Sequence, residues 1–286
     1  MRAPFDVFRP TGAETPVIVE IPHAGLDVPA PFLDPIAAPA RALARDADLY
    51  VDGLYEDAPA EGATVLACRT SRYAIDVNRA ETDVDNEVVE GARGDVVLQH
   101  GLVWRTTSDG ETALSRKLTR PELEERLDLI WRPYHGMLAA LVEEKRARFG
   151  VAMVLAAHSM PRVERNARER GRAGTPARAR ADVVPGTRGR RSASGSLIDA
   201  VEEHATARGW TVRHDDPYAG GFTTQHYGRP ATGVHVVQVE LSRRLYLDEE
   251  SLRPGADFQG VRDWCRELIA KLGRRAALEA PPRAGA

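Results

Sequence analysis

Four stretches of the 286-residue chain end in side chains that could bind a metal or carry a proton. The run "PVIVEIP" (16–22) is followed by His23, and "VAMVLAA" (151–157) by His158 and Ser159. "RYAIDV" (72–77) carries Asp76 and leads into Asn78 and Arg79. "VHVVQVE" (234–240) closes on Glu240, with Arg243 three residues on. A lone histidine after a strand is most often a turn or core residue. Two of them at equivalent places, with carboxylates at hand, define a candidate site, because open α/β sheets bind ligands beyond the carboxyl ends of their strands.

Two imidazoles and one carboxylate form a common catalytic zinc set, with water in the fourth place. "RDADLYVD" (45–52) offers Asp46 and Asp48 as the carboxylate. Asp46 has a competing explanation as a helix N-cap. Asp48, expected inside the first turn, has less of one. Glu240 sits in an otherwise apolar run, where an unpaired carboxylate would be costly, so it is the general-base candidate. Its bland alternative is a buried ion pair with Arg243 or Arg244. A substrate carboxylate calls for an arginine that can donate two parallel hydrogen bonds. Arg79 is the first choice, oriented by Asp76 and Asn78, with Arg72 and Arg243 behind it. The loop "DPYAGGFTTQHYGRP" (216–230) joins Gly220 and Gly221 to Tyr218 and His226. Its N–H groups and side chains are candidates to bind an oxyanion or carboxylate, and a tight turn into the next strand is the alternative. His135 reads as structural, and His100, His204, His214 and His235 as surface or strand-edge residues.

The elements that must position these groups alternate along the chain. Residues 16–21, 63–67, 72–77, 151–157 and 234–241 read as strands, and 210–216 more weakly so. Several are apolar throughout, as strands buried on both faces are. A helix over 119–149 opens on a Thr119/Glu122 capping box and ends at Gly150, with Pro133 expected to kink it. Further helices are expected at 46–58, 194–208 and 257–275. Strand–helix alternation means α/β layering in a single domain over 1–286.

Composition narrows the function. The net charge is −3, with 28% charged residues. One stretch departs from that balance: between Arg162 and Arg191 there are ten arginines and three acidic residues. It reads as an Arg-rich loop insertion over about 162–195, either solvated or lying over an active site. It has no aromatic residue to stack bases, which argues against a nucleic-acid partner. The N-terminus lacks the apolar core of a signal peptide, and no run approaches the ~20 residues of a membrane span, so a cytoplasmic protein without a membrane partner is expected. Cys68 and Cys265 are expected to be buried free thiols, and the tail over about 276–286 frayed.

Taken in order, "EIPHAG", "RDADLYVDGLY", "SRYAIDVNR", "AAHSMP", "DDPYAGGFTTQHYGRP" and "VVQVELSRRLYLDE" resemble the N-formylglutamate amidohydrolase family from about residue 16 to 250. The resemblance implies a three-layer α/β sandwich with a mixed, mostly parallel sheet, phosphorylase/hydrolase-like and distantly similar to zinc peptidases. It also implies an amidohydrolase with one divalent metal, Zn2+, on His23, Asp48 (or Asp46) and His158. Glu240 would be the base, and the substrate a small N-formyl or other N-acyl amino acid such as N-formylglutamate, in a monomer or small homo-oligomer. Two competing functions are a peptide or peptidoglycan-like amidase and a non-catalytic module whose Arg-rich loop docks an acidic partner. The chain departs from the family where "LGDR" is expected and "VPGTRGR" (184–190) stands, and where "NDPY" is expected and "DDPY" stands.

Overall fold

The computed structural model describes residues 3–92, 98, 100–163 and 178–280. Among these, the main sheet has six strands: β1 (Phe5–Phe8), β2 (Val17–Ile21), β3 (Thr64–Cys68), β4 (Ala152–Met160), β5 (Val183–Gly186) and β6 (Val234–Ser242). Their spatial order is β1-β3-β2-β4-β6-β5. The four central strands are parallel, and the two edge strands run antiparallel to their neighbours. β2, β4 and β6 are buried along their whole length, which is why they read as apolar runs without alternation.

Among the described residues seven α-helical segments accompany the sheet: α1 (Ala40–Asp46), α2 (Val51–Leu54), α3 (Arg120–Arg126), α4 (Arg132–Phe149), α5 (Gly195–Ala207), α6 (Phe222–Tyr227) and α7 (Phe258–Leu278). The odd residues of β2 (Val17, Val19, Ile21) and of β4 (Met153, Leu155, Ala157) join Leu197 and Val201 of α5 and Leu268 and Leu272 of α7 in one core. The even residues Ile18, Val154 and Val236 join Leu127, Tyr134, Leu138 and Leu141 of the α3–α4 helix in a second. The sheet is therefore the middle of three layers, the expected α/β sandwich.

Several local expectations change. Residues 72–77 form turns rather than a strand. Ala74, Ile75 and Val77 are buried in the second core without a ladder, a case that apolarity alone does not separate from a strand. Residues 210–216 contribute only a bridge from Val212 to Val183. The helix expected at 46–58 is two short helices with Asp48 in the loop between them. Thr119 and Glu122 form the capping box. The helix then widens to a π turn over Leu127–Trp131, just before Pro133. Proline lacks the N–H that would reach residue 129 and crowds that carbonyl, so the distortion falls there. β5 lies inside the Arg-rich stretch, whose charge masks its four buried residues. The middle of that stretch, 164–177, and the end of the tail, 281–286, lie outside the described residues. The start of the expected frayed tail is ordered: α7 runs to Leu278, with Ala276 buried. Cys68 and Cys265 are buried and free. No described helix is long and apolar enough to cross a membrane.

Candidate active site

The carboxyl ends of β2, β4 and β6 open into a cleft of about 420 Å³. Register places its first two groups. His158 and Glu240 are direct partners across the parallel β4–β6 pair, so both side chains leave the sheet on the same face. His23 follows β2, and the Asp48 backbone N–H donates to the His23 carbonyl at 2.9 Å, which brings the α1–α2 loop against that strand end.

The three groups converge. His23 Nδ1 lies 3.2 Å from His158 Nδ1, and Asp48 Oδ2 lies 3.1 Å from the latter and 3.6 Å from the former. One ligand atom from each falls within 4.8 Å of the other two. All three residues are buried, at 2–4% exposure. The donor set of two imidazole nitrogens and a carboxylate oxygen fits a divalent cation of the zinc type. The surroundings fit as well. Asp76 Oδ1 takes the other ring nitrogen of His23 at 2.7 Å, the carboxylate–histidine arrangement that orients metal ligands. Asp46, the alternative ligand, is held elsewhere: its Oδ2 accepts from the Tyr73 hydroxyl (2.5 Å) and the Ser108 N–H (3.0 Å).

The electrostatics follow from burial and pairing. Burial, with the Arg72 charge, lowers the pKa of His23. Burial would lower His158 too, but its hydrogen bond to Asp48 and the charges of Glu240 and Asp48 outweigh it, so its pKa is raised. Burial opposes the ionisation of Asp48 and Asp76. The two histidines overcome it at Asp48, as His23 and Arg72 do at Asp76, and both carboxyls lie well below the usual range. Glu240 has no such rescue. Burial and the Asp48 charge push it up to about 7, against the pull of His158, Arg72 and Arg180. The alternative ion pair with Arg243 or Arg244 is not made: Arg243 is held at the Asp48 loop and Arg244 pairs with Asp182, while Glu240 Oε1 accepts from Gln238 Nε2 at 2.9 Å.

The arginines divide by role. Arg243 donates to the carbonyls of Arg45 (2.5 Å) and Ala47 (2.7 Å), to Ser159 Oγ (3.1 Å) and to Asp48 Oδ1 (3.3 Å), so it ties β6 to the Asp48 loop instead of presenting a free fork to substrate. Arg72 lies against His23, pairs with Asp76 and stacks on Trp104, with its guanidinium carbon 4.5 Å from the ring centroid. Asp76 thus orients His23 and Arg72 rather than Arg79. Arg79 lines the cleft and donates from Nε to the His100 carbonyl at 2.9 Å.

Asn78 Nδ2 lies 3.2 Å from His158 Nε2, and its Oδ1 accepts from the Thr223 N–H. Gly221 packs on this amide. A Cβ there would fall 2.3 Å from Asn78 Nδ2, and the Gly221 N–H already donates to Gln238 Oε1 at 2.8 Å. Its N–H is therefore not directed at a substrate oxyanion, contrary to expectation. Gly221→Ala should displace Asn78 and lower kcat/KM by about tenfold or more, at a stability cost of about 1–3 kcal/mol. Steady-state kinetics alongside a denaturant curve checks both; unchanged kinetics would contradict the packing role.

Tyr218 lines the cleft beneath Arg180, 5.3 Å from the guanidinium carbon to the ring centroid. His226 does not line it: it is exposed on α6, stacked on Phe222. His135 is structural, bonded to the Val77 carbonyl and Tyr227. His100, expected as a surface or strand-edge residue, lines the cleft stacked on Trp104. Glu20, overlooked in the sequence, lies buried on the same sheet face and accepts from Tyr134 and Thr223. The signal that marked Glu240, a carboxylate inside an apolar strand, marks Glu20 equally. Where "LGDR" and "NDPY" were expected, the Asp215 carboxylate takes the N–H groups of Thr187 (2.6 Å) and Gly189 (2.7 Å) and so gathers the 187–190 turn.

A mixed sheet between helix layers, with its cleft at the carboxyl ends of the parallel strands, is an α/β fold of the phosphorylase/hydrolase-like class. The chain belongs to the N-formylglutamate amidohydrolase family, whose model matches residues 15–247. It is 34% identical over 241 residues to the N-formylglutamate deformylase of Pseudomonas putida, covering 82% of each chain. To that of Pseudomonas aeruginosa it is 32% identical over 267 residues, covering 90% of this chain and 92% of the relative. The crystal structure of N-formylglutamate amidohydrolase from Ralstonia eutropha superposes with a TM-score of 0.86 at 34% identity, covering 96% of this chain and 99% of that one.

Proposed function

We propose that the protein is a metal-dependent amidohydrolase that removes the formyl group from an N-formyl amino acid, N-formylglutamate first among them. The observation that carries the reading is the meeting of His23, Asp48 and His158 beside Glu240. The names of the relatives supply the substrate.

A divalent cation held by His23, Asp48 and His158 would supply Lewis acidity toward the amide carbonyl and an acidified water. The remaining work falls to the chain. Glu240, the carboxyl raised to about 7, takes the proton of the attacking water and returns it to the departing nitrogen. The transfer closes the balance: water adds to the formyl carbon, the C–N bond breaks, and formate and a free amine leave. Arg79 binds the α-carboxylate. Asp76 and Asn78 fix the two imidazoles. Burial of these groups strengthens every charge interaction among them.

The cleft favours a small anion over a peptide or glycan strand. Among the described residues, six arginines line it against three carboxylates, Asp46, Asp48 and Glu240. The test is formate release from N-formylglutamate across pH, next to N-formyl amino acids of other side chains and a muropeptide. Turnover of N-formylglutamate is expected, with activity falling on the acid side as Glu240 takes up a proton, at a midpoint of about 7 or below. Turnover of the muropeptide alone, or activity that rises toward acid, would contradict the reading.

A further inference from the structure

Among the described residues six arginines line the cleft, and four already have work inside the protein. Arg45 pairs with Asp109, Arg72 with Asp76 and Arg243 with Asp48, while Arg180 lies over Tyr218 and donates to the Pro161 carbonyl. Arg79 and Arg188 differ. Among the described residues neither forms an ion pair, although the Arg79 charge helps to keep the Asp76 carboxyl ionised. Each side chain donates once, Arg79 to the His100 carbonyl and Arg188 to the Gly220 carbonyl at 3.3 Å.

Arg188 is also held where a side chain is rarely found. Arg188, Gly189 and Arg190 have φ of 55°, 72° and 62°, three successive residues in the left-handed region, two of them not glycine. The turn persists because its surroundings fix it. Asp215 takes the N–H groups of Thr187 and Gly189, the Arg188 N–H donates to the Ala219 carbonyl (2.8 Å), and the Thr187 carbonyl accepts from Arg191 (2.9 Å) and Ser192 (3.2 Å). A strained turn so firmly held, carrying a cation to a cleft wall, is the pattern of a functional site.

We propose that Arg188 is a specificity-determining residue that binds a second, distal carboxylate of the substrate, making the cleft a reader of N-acyl dicarboxylic amino acids. This rests on the function proposed above. Both arginines line the one cleft, one for each carboxylate. Arg79 follows Asn78, which touches His158, so it belongs with the α-carboxylate beside the scissile amide. Arg188 lines the same cleft from the 187–190 turn, its guanidinium bonded to the Gly220 carbonyl next to the Gly221 that packs on Asn78, which leaves it for the second carboxylate. A planar guanidinium can receive such a carboxylate through two parallel hydrogen bonds, and a neutral amide cannot replace the charge.

The experiment compares N-formyl-L-glutamate with N-formyl-L-glutamine in the wild type and in Arg188→Met, Arg188→Lys and Arg188→Gly. Binding of L-glutamate and L-glutamine is measured in parallel by calorimetry. The wild type is expected to prefer glutamate in both assays. Arg188→Met and Arg188→Gly should cut the glutamate-to-glutamine ratio by about 10- to 100-fold, the worth of a charged hydrogen bond, and Arg188→Lys should keep part of it. Arg188→Gly should do so with no fall in melting temperature, since glycine adopts the left-handed turn freely. A wild type without preference would overturn the proposal. So would variants in which both substrates fall together with the melting temperature, or in which the ratio is unchanged. If the wild type hydrolyses neither compound, the proposed reaction fails. Calorimetry then decides this inference alone: the glutamate preference vanishing in Arg188→Met sustains it, and its survival there refutes it.

Discussion

Replacing Glu240 with glutamine should lower kcat by about 10²- to 10⁴-fold while the protein still binds its metal. The change is nearly isosteric, and the new amide oxygen can still accept from Gln238 Nε2, which lies 2.9 Å from Oε1. The ligand set is untouched, since Glu240 is not one of the three converging groups. Stability supplies a second readout with a defined sign. The carboxyl is raised above its unfolded value, so the folded state binds that proton more tightly than the unfolded chain does. The ionised carboxylate therefore destabilises the metal-free fold, negligibly below the unfolded pKa, increasingly as pH rises from there to about 7, and by a constant amount above that. Glu240→Gln should melt at or above the wild-type temperature, with the difference larger at pH 8 than at pH 5. Activity within tenfold of wild type would remove Glu240 from the base role.

The second large effect is at Asp48. Its carboxylate is the meeting point of the site: Oδ2 faces both histidines, and Oδ1 takes Ser159 and Arg243. Asp48→Asn should weaken metal binding by more than about 100-fold, beyond the 10- to 100-fold that loss of an orienting partner such as Asp76 would cause. It should also destabilise the fold by about 3 kcal/mol, because Arg243 stays buried without its carboxylate, though two backbone carbonyls still hold it. Activity and metal content should fall together. Asp46→Asn is the control: its carboxylate belongs to Tyr73 and Ser108, so metal binding should survive. Metal lost in Asp46→Asn and retained in Asp48→Asn would reverse the ligand assignment.

Much of this was readable because parallel strands buried on both faces are apolar throughout and end abruptly. The runs before His23, His158 and Glu240 gave β2, β4 and β6, and with them the cleft. Burial without a ladder deceived the same logic at 72–77, where Ile75 and Val77 fill the core from a turn. Register made partners of His158 and Glu240, a fact no single strand contains. Asp48 reached its place through a backbone hydrogen bond to His23 and the break between α1 and α2, neither of which has a periodic signature. The work of Arg243 is tertiary as well: the two carbonyls it holds lie nearly 200 residues away. β5 escaped notice because the arginine excess around it dominated the reading; the 184–190 stretch stood out as a departure from the family, but its turn is shaped by Asp215, about 25 residues downstream.

The central claim is that His23, Asp48 and His158 hold a catalytic divalent metal. Elemental analysis of the purified protein, coupled to formate release from N-formylglutamate before chelation, after it, and after metal is restored, tests this most directly. The account predicts about one metal per chain, activity lost with the metal, and activity regained with zinc or another divalent ion. Undiminished formate release from protein shown to be free of metal would contradict it.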